Sequence, residues 1–396
     1  MTAPELRRAS ACLVIDIVLT GNPPWTTGPY PGPSHGAAPA ARLGYLESRV
    51  AEAVYGRDGA PVRWHREVSG ELGGAELFAA EILRTPLSGP DAALAILHVR
   101  LPDPGVLGHL ARHPAEAAPF LPDGATVSGG RALTLTHLTF TGPPVAPMPA
   151  EYGQWPVDRQ WLWLAASSTP VTAFPPDVDD QDLFAGLLHL SADWRALVLR
   201  DGVAFVGLTA DPGGERTFHA AAETYVHSIY LDALLLGRMQ VHALRRLSNG
   251  LGELRVSTAT TRDLHDQQSR LMELRRTLWS EHLTMHGHAN DLLERYQAQY
   301  RLGRLREQVM ADLADLAHLV DAQNSRTVNA GLGLLTVIGL PFGLTYAGGA
   351  VLADQSLTLF LSCTGVAILL VALLLFLFPP LRQMVDALGP RTRRRS

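Results

Sequence analysis

The chain has 396 residues, which is long enough for two domains or for one domain with an extended helical part. Its 33 basic and 38 acidic residues give a net charge of −5, so no overall positive field favours nucleic-acid binding. Two cysteines, Cys12 and Cys363, are typical of a reducing compartment, and we expect no disulfide between them. Asp16 interrupts the apolar run Ala11–Leu19, which therefore predicts a buried strand rather than a signal peptide.

Residues 1–215 alternate strand-like runs with turn clusters and predict a mixed α/β domain in the cytoplasm. The segment Gly21–Gly36 is rich in glycine and proline and predicts a loop. Seven runs predict strands, at Ala11–Leu19, Pro61–Glu67, Ala93–Val99, Ala132–Phe140, Gln160–Ala166, Ala196–Leu199 and Val203–Leu208. Three patterns predict helices, at Ala40–Tyr55, Gly74–Leu83 and Asp180–Leu190.

Two local patterns in this domain bear on function. Asp201-Gly202 is a strong hairpin signal between the last two predicted strands. Trp161 and Trp163 share one face of a predicted strand, where they pack in the core or at an interface, or form a ligand platform. The sequence contains no GxGxxG, P-loop, CxxC or HExxH motif, so we expect no enzymatic activity.

Residues 216–326 predict a helical stalk built as an antiparallel helix pair. The first helix covers about Phe218–Leu247 and ends at Ser248-Asn249-Gly250. The second is predicted as one long helix over about Thr261–Arg326, because that segment contains no proline. Its later part carries a coiled-coil seam, formed by Leu302, Leu305, Val309, Leu313, Leu316 and Val320.

Two stalk histidines, His282 and His286, share a helix face at the i, i+4 spacing. This spacing can bind one metal ion, with further ligands supplied by neighbouring chains of an oligomer. A solvated helix face is the alternative interpretation of the same pattern.

Residues 327–381 predict two transmembrane helices, at about 328–352 and 357–378, within charge-free runs separated only by Asp354. Arginines flank the pair on both sides, which predicts a hairpin with both termini and the basic tail 382–396 in the cytoplasm. A buried hairpin in a large soluble protein is the alternative. Gly339 and Gly343 allow close helix approach, either around the axis of an oligomer or in a packed anchor without a pore.

This order of elements resembles the CorA-type magnesium and divalent cation transporter family over roughly residues 195–396. The segment from Asn329 to Leu335-Thr336, with Pro341 and glycines after it, is similar to the family's first membrane helix. The helix that contains Glu223-Thr224-Tyr225 and Tyr230-Leu231-Asp232 is similar to the family helix before the stalk. The family's Gly-Met-Asn signature is absent, and Ala353-Asp354-Gln355 stands in its place.

The resemblance implies a homo-oligomer, pentameric in the family, that lies in a lipid bilayer and passively conducts a divalent cation. Mg²⁺ or another divalent cation is then the transported or regulatory ion, and no other cofactor is expected. The predicted ion pathway consists of Asn329, Leu332, Thr336, Gly343, Tyr346, Asp354 and Gln355. Asn329 is alternatively an interhelical hydrogen-bonding residue or a helix cap. The competing hypothesis is a membrane-tethered sensor or effector whose cytoplasmic domain binds a ligand without transporting metal.

Overall fold

The computed structural model describes residues 5–32, 42, 44–57, 59–254, 260–279, 283–284, 287–320, 322 and 325. The chain divides into two compact units, Met1–Leu251 with Gln267–Val309, and Gly252–Asp266 with Met310–Ser396. Every strand and every side-chain cluster described below belongs to the first unit.

Ten strands form one sheet around β1 (Leu6–Leu19), which pairs antiparallel with β7 (Ala92–Arg100) and with β9 (Leu133–Phe140). The other strands are β2 (Thr26–Thr27), β5 (Arg63–Leu72), β6 (Ala75–Arg84), β8 (Ala125–Val127), β10 (Leu187–Ser191), β11 (Trp194–Val198) and β12 (Gly202–Ala210). Their order is β10-β11-β12-β9-β1-β7-β6-β5-β2, and β8 pairs with the end of β1. Among the strands that the structure describes, only β12 and β9 pair in parallel. A separate short hairpin consists of β3 (Gly56–Arg57) and β4 (Ala60–Pro61).

The described helices are α1 (Ser48–Tyr55), α2 (Val106–Arg112), α3 (Val157–Ser167), α4 (Phe218–Tyr225), α5 (Leu231–Glu253), α6 (Thr261–Thr277) and α7 (Gly287–Gln299), and residues 302–320 are also helical. A π-helical turn, Val226–Tyr230, joins α4 to α5. Short 3-10 helices lie at Pro114–Phe120, Ala150–Tyr152 and Gln181–Phe184.

The alternation of side chains along β1 divides the interior into cores on opposite faces of the sheet. Leu13 and Ile15 pack in a core that includes side chains of α2. Cys12 and Val14 point to the other face, where the core includes α1, the π turn, α5 and α7. A further core joins α3 to β9, β11 and β12. We call the face of Cys12 and Val14 the helix face.

The prediction of one uninterrupted helix over Thr261–Arg326 is wrong. The chain leaves helical geometry between α6 and α7, where the Asn290 side chain accepts hydrogen bonds from the backbone N–H groups of Leu283 and Thr284. Leu278 and Leu283 are buried in the helix-face core at this break. The burial of these apolar side chains offsets the helical hydrogen bonds that are lost where the helix ends. A second break follows α7, where Arg301 has a φ of 50°.

The predicted fold class, an α/β domain followed by a long helical stalk and a two-helix transmembrane hairpin, is therefore contradicted. A large mixed sheet dominates, and α5 and α7 pack directly on it instead of forming a separate stalk. The helix predicted at Phe218–Leu247 contains the π turn and continues to Glu253. The predicted membrane segments, 328–352 and 357–378, lie outside the described residues. Among the helices that the structure does describe, none combines the length and the apolar character needed to cross a bilayer.

Several smaller predictions are confirmed, and others are wrong. Strands occur where β1, β5, β7, β9, β11 and β12 were predicted, and β11 and β12 pair antiparallel across the Asp-Gly turn. Gly74–Leu83, predicted as a helix, is a turn residue followed by β6, because pairing with two neighbours outweighs the helix propensity of its alanines and leucines. Gln160–Ala166, predicted as a strand, lies in α3, and Asp180–Leu190 contains a 3-10 turn and most of β10. Ala40–Tyr55, predicted as one helix, is confirmed only for α1, because Leu46 and Glu47 before it are not helical.

Candidate functional site

A row of polar side chains crosses the helix face of the sheet. Cys12 on β1 pairs in register with His98 on β7, and Ser10 lies two residues before Cys12 on the same face. Glu81 on β6 and Arg63 on β5 continue the row. All five residues are at most 1% exposed. Buried polar groups on consecutive strands need partners, so this row is the first place to look for a binding site.

The π turn adds a histidine from above the sheet. His227 lies in the second position of Val226–Tyr230 and is fully buried. Single π turns inside α-helices occur frequently at functional sites. Asp232, also fully buried, follows in the first turn of α5 and points into the same polar row. The helix thus contributes one imidazole and one carboxylate to the polar groups of the sheet.

Cys12, His98 and His227 form a compact triangle, which we call the Cys-His-His cluster. The Cys12 Sγ atom lies 3.4 Å from His98 Nδ1 and 3.2 Å from His227 Nδ1. The two Nδ1 atoms are 2.9 Å apart. Bonds of about 2.1 Å to nitrogen and about 2.3 Å to sulfur place the ligands of a tetrahedral Zn²⁺ roughly 3.3–3.6 Å apart. The three donor atoms are therefore within a few tenths of an ångström of the arrangement that such an ion requires.

The outer nitrogen of each imidazole has its own partner. His98 Nε2 lies 2.8 Å from Glu81 Oε1, and His227 Nε2 lies 3.0 Å from Ser10 Oγ. Because the Glu81 carboxylate can only accept, His98 carries its proton on Nε2 and presents a lone pair from Nδ1 to the cluster. A histidine held in this way by a carboxylate is the usual arrangement around protein-bound metal ions.

Protonation states in the cluster follow from its burial. Burial lowers the pKa of His98, and burial together with the neighbouring His98 lowers the pKa of His227 well below its ordinary value. Both imidazoles are therefore neutral at pH 7 and able to act as ligands. Burial, reinforced by Glu81, raises the pKa of the Cys12 thiol. A cation that binds here must displace the thiol proton.

Two arginines balance the two buried carboxylates beside the cluster. Arg63 Nε lies 2.6 Å from Glu81 Oε2, and Arg63 Nη1 lies 2.6 Å from Asp232 Oδ1. Arg42 Nη2 lies 2.9 Å from the same Asp232 oxygen, and the Tyr55 hydroxyl donates to Asp232 Oδ2. Burial alone raises the pKa of Glu81, but Arg63 and the hydrogen bond with His98 outweigh it and hold that pKa well below its ordinary value. Glu81 therefore remains a carboxylate that can orient His98.

Aromatic side chains close the cluster from outside. The Phe78 ring, at a β-bulge of β6, lies 6.0 Å from the His98 ring and 5.8 Å from the His227 ring. The Tyr30 ring lies 5.2 Å from the His98 ring. Tyr30 belongs to the Gly- and Pro-rich loop, and its backbone N–H donates to Glu81 Oε2 while its carbonyl accepts from Arg42. We call residues 21–32 the covering loop, because the ionic groups beside the cluster hold it in place.

None of the site residues predicted from the sequence belongs to this cluster. His282, His286 and the seven predicted pore residues, Asn329, Leu332, Thr336, Gly343, Tyr346, Asp354 and Gln355, lie outside the described residues. Trp161 and Trp163 lie on α3 rather than on a strand. Trp163 is buried in the core, and Trp161 packs against Phe140 with a ring distance of 4.9 Å.

Sequence reasoning singled out Cys12 only as a free thiol and missed its partners. The available signal was His98, a single polar residue inside the apolar part of Ala92–Arg100. Such a residue faces a core and must be paired there.

The comparisons with known proteins leave the family open. No protein-family model matches the chain, and no curated protein matches it either. The resemblance to CorA-type transporters, with the pentamer and the divalent-cation pore that it implies, therefore stays a prediction.

Proposed function

We propose that the sheet domain binds a transition-metal cation, with Zn²⁺ as the first candidate, at Cys12, His98 and His227. The convergence of one sulfur and two imidazole nitrogens within 3.4 Å of one another carries this proposal. Thiolate and imidazole ligands favour Zn²⁺ and copper over Mg²⁺ or Ca²⁺, which prefer oxygen. The proposed ion therefore differs in chemical class from the one that the CorA resemblance implies.

The role that this site supports best is that of a metal-responsive sensor or effector domain. Two ligands come from the sheet, and the third comes from the π turn that leads directly into α5. Binding fixes the His227 imidazole relative to β1 and β7, so occupancy of the site biases the position of α5. Because a ligand shifts an equilibrium only through contacts that differ between states, the link through His227 gives the ion a specific helix to act on. The hypothesis of a ligand-binding domain without transport gains support from this geometry.

Metal binding to the purified full-length chain tests the proposal. We expect elemental analysis to find one Zn²⁺ per chain that the wild-type chain holds and Cys12→Ser loses, and Co²⁺ substitution should give the charge-transfer absorption of a Co²⁺–thiolate bond. Cys12→Ser should abolish that absorption, and His98→Ala should reduce the affinity by at least about 10-fold, the lower end of what loss of a mere orienting partner costs.

Two variants serve as controls. Cys363→Ser removes the other cysteine and should leave the absorption unchanged. His189→Ala removes an exposed histidine of β10 and should leave the affinity unchanged. A folded wild-type chain without stoichiometric Zn²⁺ or Co²⁺ binding would rule the proposal out, as would a Cys12→Ser variant that keeps the thiolate absorption.

A further inference from the structure

A second group of metal-ligand side chains lies on the surface, on the opposite side of the sheet from the Cys-His-His cluster. His109 and His113 are one helical turn apart at the end of α2, and Glu116 follows in the 3-10 helix Pro114–Phe120. One ligand atom of each residue lies within 4.8 Å of those of the other two. All three side chains are exposed. We call this group the His-His-Glu group.

Local sequence explains why these side chains meet. Pro114 cannot continue the helix and disfavours helical geometry in the residue before it. His113 accordingly adopts φ −120° and ψ 54°, and the chain turns back toward α2. This turn places Glu116 Oε1 only 2.7 Å from His109 Nε2.

Both histidines can offer a ring nitrogen to a cation. Without a cation, His109 Nε2 donates its proton to Glu116 Oε1, and a cation that binds here displaces that proton. His113 Nδ1 lies 3.0 Å from the carbonyl oxygen of His109, so it carries the proton and leaves the Nε2 lone pair free. The two imidazole rings stack with centroids 4.3 Å apart, which holds their free edges side by side. Two protonated rings at this distance would repel each other, whereas two neutral rings can share one cation.

We propose that His109, His113 and Glu116 form a second binding site for a divalent transition-metal ion such as Cu²⁺, Ni²⁺ or Zn²⁺. Two imidazoles and one carboxylate are a known ligand set for Zn²⁺, with water in the remaining position. The side chains need to move by only about 1 Å to reach ligand spacings near 3.3 Å, and exposed side chains can do so at little cost. The site differs from the buried cluster in three respects, since it has no sulfur ligand, is open to solvent and does not require the displacement of a thiol proton.

The experiment uses full-length Cys12→Ser chain, so that the buried cluster does not contribute its thiolate. Cu²⁺ is added as the probe, and its electron paramagnetic resonance spectrum reports the nitrogen ligands directly. We expect one bound Cu²⁺ whose spectrum shows two imidazole nitrogens. His109→Ala and His113→Ala should each remove one nitrogen coupling and weaken Cu²⁺ binding at least about 10-fold. Glu116→Gln should weaken binding while both nitrogen couplings remain.

Two controls separate this site from its surroundings. His189→Ala, which removes an exposed histidine elsewhere, should leave both the affinity and the spectrum unchanged. His98→Ala in the same background tests whether the remaining nitrogens of the buried cluster hold the Cu²⁺. A spectrum without imidazole coupling overturns the proposal, as does a spectrum that responds to His98→Ala and not to His113→Ala. Failure of Zn²⁺ to bind at Cys12 leaves this result unaffected, because the two sites share no residue.

Discussion

His98 Nδ1 lies 2.9 Å from His227 Nδ1, although one ring belongs to a central strand and the other to a π turn 129 residues later. Glu81 fixes the proton of His98 on Nε2, so His98 faces its neighbour with a lone pair. A second lone pair at that distance would repel it. Without a metal ion, His227 must therefore carry its proton on Nδ1, and Ser10 donates to His227 Nε2. When a cation binds, the His227 proton moves to Nε2 and the Ser10 hydroxyl becomes the acceptor.

This change of tautomer makes Ser10 a test of the site. Ser10→Ala removes the group that accepts the His227 proton in the metal-bound form, and we expect the Zn²⁺ affinity to fall about 10-fold. The free energy of unfolding without metal should also fall, by about 1–3 kcal/mol, because the buried His227 Nε2 loses its partner, so the affinity is compared among folded chains. Competition titration with a Zn²⁺ indicator measures the affinity. Ser191→Ala, at an exposed serine on β10, is the matched control. Equal affinities of the Ser10 and Ser191 variants would contradict the proposed role.

The ion pairs beside the cluster should be sensitive to loss of one partner. Arg63→Met leaves Glu81 and Asp232 with an uncompensated buried charge, and we expect the free energy of unfolding to fall by about 3–5 kcal/mol. Arg57→Met breaks the exposed pair with Glu52 and should cost less than about 1 kcal/mol. Urea unfolding of both variants without metal makes the comparison. Similar losses of unfolding free energy in the two variants would show that the buried ion pairs contribute no more to stability than the exposed pair.

The covering loop should control access to Cys12. Tyr30→Ala removes the ring that packs on His98, and we expect the modification of Cys12 by a thiol reagent to become about 10-fold faster because local opening becomes easier. The measurement uses a Cys363→Ser background, so that only one thiol reacts. Tyr225→Ala, at a tyrosine that is 42% exposed, is the control. An unchanged rate in Tyr30→Ala would mean that the reagent reaches Cys12 by another route.

Acid stability should depend on His137, which lies on β9 near the Cys-His-His cluster. Burial lowers the pKa of His137 to about 4, and neither of its ring nitrogens has a hydrogen-bond partner among the described residues. As the pH falls, His137 is protonated near pH 6.5 in the unfolded chain but only near pH 4 in the folded chain. The contribution of His137 to the free energy of unfolding is therefore fully present above about pH 6.5. It is lost as the pH decreases toward 4, by at most about 3 kcal/mol.

His137→Leu should reduce that loss, and His189→Leu, at an exposed histidine, should not. Urea unfolding at several pH values between 7 and 4 measures the difference, as an order-of-magnitude test of the linkage. His98 and His227 contribute in the same direction, so the variant should keep part of the pH dependence. If the free energy of unfolding falls equally with pH in wild type and in His137→Leu, the protonation of His137 does not contribute to the acid sensitivity.

The strands that carry half of the site could be predicted from the sequence. β1 and β7 were located by their apolar runs, and both Cys12 and His98 lie inside them. Their register could not be predicted, because a sheet pairs strands that are distant along the chain and single-sequence patterns do not specify partners. The contact between Cys12 and His98 depends on the pairing of β1 with β7, which the structure shows.

The remaining parts were missed for identifiable reasons. Glu81 lies in a segment of alanine, leucine and glutamate that has the composition of a helix, and pairing on both sides forces it into β6. His227 lies in a helix that was correctly expected, but the π turn that aims it at the sheet has no sequence signature. His109 and His113 have the same i, i+4 spacing as His282 and His286. Pro114 indicates from the sequence that the helix ends there, and the turn that follows brings Glu116 to His109.

Cys12 and His227 are separated by 215 positions along the chain, and this separation has a consequence for biosynthesis. At ordinary rates of translation, about 5–20 residues per second, roughly 10–40 s pass between the synthesis of the thiol and that of its last partner. During this interval β1 lacks the groups that later surround Cys12, and the nascent thiol is open to oxidants and to other metal ions. Reducing conditions during synthesis would therefore preserve this thiol until the ribosome has passed His227.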